Sequence, residues 1–171
     1  MTKKLTSLAL ALVMCLSLCI PAMAVTPDVP EEPQDWGDPI QVIKTTDENG
    51  NEVLEKIYFV PDTTGPSTRA SSGRGWFKNE KNVTNTDAGT MYAKGYFIWG
   101  NDDVSVSSPS GGNNGKMDSV SNEEVTSGTG NYAGVFNKYA YVTYSFKTTN
   151  MFGVVQNNSV TMRLSQSGNQ I

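Results

Sequence analysis

Asp102, Asp103, Glu123 and Glu124 are the acids available for a two-carboxylate reaction such as glycoside hydrolysis, which needs no histidine. All four fall in turn-rich segments, and a domain this small leaves little room for a substrate cleft. Asn101-Asp102-Asp103 also offers the hard oxygen donors that calcium accepts. No spaced Asp-x-Asp-x-Asp loop accompanies it, and Asn and Asp are favoured in turns because their side chains bond the local backbone. The chain has no histidine, and its two cysteines, Cys15 and Cys19, lie near the N-terminus. The rest of the chain therefore cannot build a Ser-His-Asp or Cys-His constellation or an ordinary structural zinc site. No catalytic residue, metal ligand or cofactor-binding residue is assigned.

Aromatic side chains with polar tips are the other chemical resource. Tyr92, Tyr96, Tyr139 and Tyr141 are expected to form a binding surface, because a tyrosine joins apolar area to a hydrogen-bonding hydroxyl and suits glycan or protein recognition. Sheets favour aromatics in any case, so Trp76 and Trp99 are expected to be structural.

The elements that position these residues are strands. Gly89–Trp99 alternates Met91, Ala93, Gly95, Phe97 and Trp99 with Tyr92, Lys94, Tyr96 and Ile98. Lys138–Lys147 alternates Tyr139, Tyr141, Thr143 and Ser145 with Ala140, Val142, Tyr144 and Phe146. In Ser159–Ser165, Val160, Met162 and Leu164 point inward. Shorter strands are predicted at 75–78, 104–107, 124–126 and 152–156, with turns such as Ser108-Pro-Ser-Gly-Gly-Asn-Asn-Gly115 between them. Asn49-Gly50, between Ile40–Thr46 and Glu52–Val60, is a strong hairpin signal. No segment after residue 24 has a helical period. The fold class is all-β: a small antiparallel β-sandwich or barrel at 75–171, preceded by a hairpin at 40–60.

Lys3 and Lys4, the apolar run Leu5–Ile20, then Pro21 and Ala22-Met23-Ala24 have the plan of a secretory signal peptide over 1–24, cleaved after Ala24. Pro21 shortens the run below the roughly 20 apolar residues of a membrane span, so no span is expected after its removal. Residues 25–39 form an acidic Pro-rich linker, and 61–74 a Ser/Thr/Gly linker carrying Arg69 and Arg74. Residues 25–62 hold ten acids against two lysines, a balance of −8, whereas 63–171 hold nine basic residues against seven acids, a balance of +2. The basic residues are scattered, which argues against nucleic acid as a partner. The split suggests an alternative function, a toxin-like or bacteriocin-like effector released from an acidic propeptide by a cut in the second linker.

The signal peptide, the acidic lead, the Thr68-Arg-Ala-Ser71 linker and the Ser-, Thr-, Asn- and Tyr-rich stretch from Tyr139 to Asn169 resemble, in layout, small exported β-rich proteins of unknown function from Gram-positive bacteria. The resemblance implies bacterial export and a β-rich fold, and it carries no residue role. The expectation from sequence is a secreted, non-enzymatic protein acting at or near the cell envelope on protein or glycan. A small carboxylate-dependent hydrolase is the remaining alternative.

Overall fold

A computed structural model describes residues 29–64, 72–83, 89–114, 120–132, 137–150 and 152–171. The signal peptide with Ala24, and residues 65–71 of the second linker, lie outside them. Eight strands follow in chain order: β1 (Gln41–Thr46), β2 (Glu52–Pro61), β3 (Gly73–Val83), β4 (Thr90–Gly100), β5 (Asp103–Asn113), β6 (Val120–Asn131), β7 (Lys138–Thr149) and β8 (Val155–Ser165). They make two antiparallel sheets, β1-β2-β3-β4-β5 and β6-β7-β8, each joining neighbours in sequence. The protein is all-β, without a helix among the described residues. The sheets remain separate and do not close into a barrel. Of the two architectures expected from sequence, the barrel is thus excluded: with β1 and β5 at opposite ends of one sheet and β6 and β8 at opposite ends of the other, no ladder runs round.

Alternation places the core. Ile57, Phe77, Met91, Ala93, Phe97 and Val104 face Ala140, Val142, Tyr144, Phe146, Val160, Met162 and Leu164, all buried in one cluster. The inward set expected for β8 is the one observed, and of the two alternating sets in β4 and β7 it is those of Met91 and Ala140 that turn inward, because in a strand residues i and i+2 share a face. Phe59, Phe77 and Trp99 seal one end, with Phe59 stacked on Phe77 at 4.4 Å and Trp99 edge-on to both. Trp76, 6% exposed, belongs to the opposite face of the five-stranded sheet, as does Tyr96 at 2%.

β5 and β6 are far longer than their composition suggests. Ser108-Pro-Ser-Gly-Gly lies inside β5 instead of forming a turn, and β6 runs from Val120 to Asn131. In β5, Ser108 and Pro109 bulge opposite Gly95, with Ser108 at φ 49°. Proline is tolerated there because β5 is an edge strand. The bend brings Gly111 against β7: a Cβ on Gly111 would lie 2.4 Å from Cβ of Tyr144. A second bulge, at Asn122 (φ 53°) and Glu123, aims Glu123 at the Tyr144 hydroxyl, which donates to it at 2.5 Å while Asn113 Nδ2 donates to that hydroxyl at 2.7 Å. Burial and then the Glu123 bond push the Tyr144 phenol up to about 12.

Candidate functional site

The outer face of β6-β7-β8 is the one surface where the predicted tyrosines stay accessible together. On β7, Tyr139, Tyr141, Thr143 and Ser145 point away from the core. In register they stand beside Gly130, Gly128, Thr126 and Glu124 of β6, and beside Ser165, Arg163, Thr161 and Ser159 of β8. Glycine on β6 determines how the rings lie. A Cβ on Gly130 would come within 2.6 Å of the Tyr139 ring, and one on Gly128 within 3.2 Å of the Tyr141 hydroxyl. Each ring therefore leans across the neighbouring strand, covering backbone that glycine leaves bare. Tyr132, Tyr139 and Tyr141 form a row with centroids 6.3 and 6.1 Å apart.

The row is bordered by hydroxyls. Thr126, Thr143 and Thr161 cross the sheet in one line, with Thr143 Oγ1 and Thr161 Oγ1 2.9 Å apart, and Ser145 and Ser159 follow in the next. Arg163 lies over Tyr139, its guanidinium carbon 5.4 Å from the ring centroid, where the positive charge meets the electron-rich face. Flat rings, a cation and a bank of hydroxyls can stack on and hydrogen-bond a polyhydroxylated ligand.

The other two predicted tyrosines are on the far side of the molecule. Tyr92 and Tyr96 belong to the outer face of β4, in the five-stranded sheet. Tyr96 is buried and donates to Asp62 Oδ2 at 2.6 Å. The four-tyrosine set is therefore divided between opposite outer faces. Alternation within each strand was legible in the sequence; which sheet each strand joins was not. Tyr132, just past the end of β6, and Arg163, brought beside Tyr141 by the pairing of β8 with β7, join Tyr139 and Tyr141 on this face although neither belongs to the four-tyrosine set expected from sequence.

The carboxylates are likewise apart. Asp102 and Asp103 stand at the β4–β5 turn, where Asn101 and Asp102 occupy left-handed backbone (φ 53° and 60°), a conformation Asn and Asp tolerate. Lys138 reaches Asp103 at 3.0 Å, and that hydrogen bond lowers the Asp103 pKa. Glu123 lies beside Asn113 at the other end of β5. Ten strand steps of about 3.3 Å separate these ends by roughly 30 Å, far beyond the roughly 5–9.5 Å between paired glycosidase carboxylates. Among the described residues no group of three or more acids is placed to hold a metal ion.

A cavity of about 550 Å³ lies beside Phe59, Asp62, Arg74 and Trp99. Its acid is already committed. Asp62 Oδ1 accepts from the Thr64 backbone N–H (2.8 Å) and hydroxyl (2.6 Å), and Oδ2 from Tyr96 and from Arg74 Nε (2.8 Å). The Thr64 and Tyr96 bonds hold its carboxyl at about 2, below the ordinary 3.8, so it is a poor proton acceptor. The sign follows from the depressed folded value: the stabilisation is full above about pH 4 and is lost as pH falls towards 2. The melting temperature should drop across that window, and Asp62→Asn should flatten that part of the profile. An unchanged profile in the variant would assign the acid transition to other groups.

Fold and site together define an all-β, two-sheet protein with an aromatic, hydroxyl-bearing sheet face. Comparison with protein-family models, with curated proteins and with solved structures gives no match.

Proposed function

We propose that this is a secreted, non-enzymatic β-sandwich protein that works outside the cell, at or near its envelope, by holding glycan against the outer face of β6-β7-β8. The observation that carries the reading is the Tyr132–Tyr139–Tyr141 row laid over Gly128 and Gly130 beside the threonine line. Aromatic rings stack on the C–H faces of sugars, and hydroxyls with Arg163 bond their oxygens. A protein partner would more often be met by a closed, desolvated anchor pocket, whereas this face is open and hydroxyl-rich.

The test is calorimetric titration of the secreted chain with soluble neutral glucans and mannans and with peptidoglycan fragments. Tyr139→Ala and Tyr141→Ala should each weaken binding by roughly tenfold, the size of an interface anchor. Tyr141→Phe should retain most of it. Melting curves would separate loss of a contact from loss of fold. Binding that persists in the double alanine variant, or a panel with no ligand at millimolar concentration, would sink the proposal.

A further inference from the structure

The second outer face, that of the five-stranded sheet, carries a proline-rich segment of the chain itself. Burial along residues 30–39 recurs every third residue: Pro30, Pro33, Trp36 and Pro39 are half-buried, while the two residues between each of them are exposed. A polyproline II helix, with three residues per turn, would present one residue in three in this way; here the chain keeps that spacing while bending at Gln34 and Asp38, with Gly37 at φ 61° and its N–H donating to Asp35 Oδ1. The exposed positions hold Glu31, Glu32, Asp35 and Asp38.

The sheet beneath is aromatic and basic. Three rows run across it in register, Tyr58–Lys78–Lys94, Val60–Trp76–Tyr96 and Lys56–Glu80–Tyr92. Lys78 Nζ sits between two rings, 4.6 Å from the centroid of Trp36 and 4.3 Å from that of Tyr58, and pairs with Glu80 at 2.8 Å. Lys94 pairs with Glu32 at 2.5 Å and lies 5.1 Å over Tyr92. Both lysine side chains are only 13% exposed.

From this arrangement we infer that the face is a docking surface for a proline-rich, acidic peptide with a Pro-x-x-Pro-x-x-Trp spacing, and that residues 30–39 are its ligand in cis. Proline restricts the free segment, so less conformational entropy is lost when it settles on the aromatic face. The prolines set the three-residue period, Trp36 covers Lys78, and Glu32 neutralises Lys94. A partner chain with the same spacing and charge fits the same face once the cis segment lifts. Attachment gives that segment an effective concentration in the millimolar range, so a trans peptide meets a largely closed site and its apparent affinity is reduced by the open fraction.

The probe is a labelled synthetic peptide of residues 29–40, followed by fluorescence anisotropy against the full secreted chain. Glu32→Lys with Trp36→Ala should free the face and tighten peptide binding at least about tenfold over wild type. Adding Lys94→Glu should abolish the gain, and a peptide with alanine at its prolines should bind at least about tenfold more weakly. Equal binding of the alanine peptide would reduce the site to charge and overturn the proposal, as would a freed variant that binds no better than wild type while melting cooperatively. Should the double variant fail to fold, Glu32→Lys alone gives the same comparison with a smaller expected gain.

Discussion

Removal of residues 1–69 is expected to abolish folding, and a single cut after Arg69 is expected to leave the two pieces together. β2 pairs with β3 over nine residues, from Val53 opposite Val83 to Pro61 opposite Gly75. It also delivers Ile57, 0% exposed, and Val53, 6% exposed, to the interior. Truncating one buried isoleucine costs about 2–5 kcal/mol, against a total stability of about 5–15 kcal/mol. Loss of β2 removes Ile57, Phe59 and a whole ladder, and uncovers Phe77 and Asn79. A chain beginning at Ala70 should therefore be insoluble or lack a melting transition. The nicked protein should elute as one particle under native conditions and separate only in denaturant. Release of a folded fragment without denaturant would restore the propeptide reading; retention makes the acidic N-terminal third a permanent part of the five-stranded sheet and favours a binding protein over a processed effector.

The same strand explains where the sequence was readable and where it was not. Alternation in β8 identified Val160, Met162 and Leu164 as core because that strand has one apolar and one polar face, whereas in β4 and β7 both faces are partly apolar and alternation divides the residues without saying which set turns inward. Tyr96 escaped because its outward position is closed by two contacts that composition does not announce: Trp76 edge-on at 5.8 Å, and Asp62, just past the end of β2, accepting from its hydroxyl. The three-residue spacing of Pro30, Pro33, Trp36 and Pro39 was present in the sequence, but it acquires meaning only over an aromatic sheet. β5 and β6 were underread for a related reason. Their Ser and Gly residues have no hydrophobic period, and they stand as strands because a neighbour supplies the ring that each lacks: Tyr92 over Gly112, Tyr141 over Gly128 and Tyr139 over Gly130. Residue type signals a strand where a residue packs for itself and falls silent where its partner does the packing.

Two adjacent glycines of β5 turn that argument into a measurement. Gly111 faces inward, where an added methyl would meet Cβ and Cγ of Tyr144 at 2.4 and 2.8 Å. Those atoms cannot retreat: the Tyr144 ring is packed beside Phe146 with centroids 5.2 Å apart, and its hydroxyl is tied to Glu123 and Asn113. Gly111→Ala must push β5 away from β7 or break the Glu123 bond. Overpacking of this kind costs about 1–3 kcal/mol and sometimes more, and an unsatisfied buried hydroxyl adds about 1–3 kcal/mol, so a fall in melting temperature on the order of 10 °C is expected. Gly112 faces outward, where the added methyl meets the far end of Tyr92, its hydroxyl at 2.8 Å. That ring can swing, so Gly112→Ala should cost under about 1 kcal/mol. Equal melting temperatures for the two variants would mean that β5 does not bend onto β7 as described, and the contact between edge strand β5 and the central strand of the other sheet would have to be redrawn.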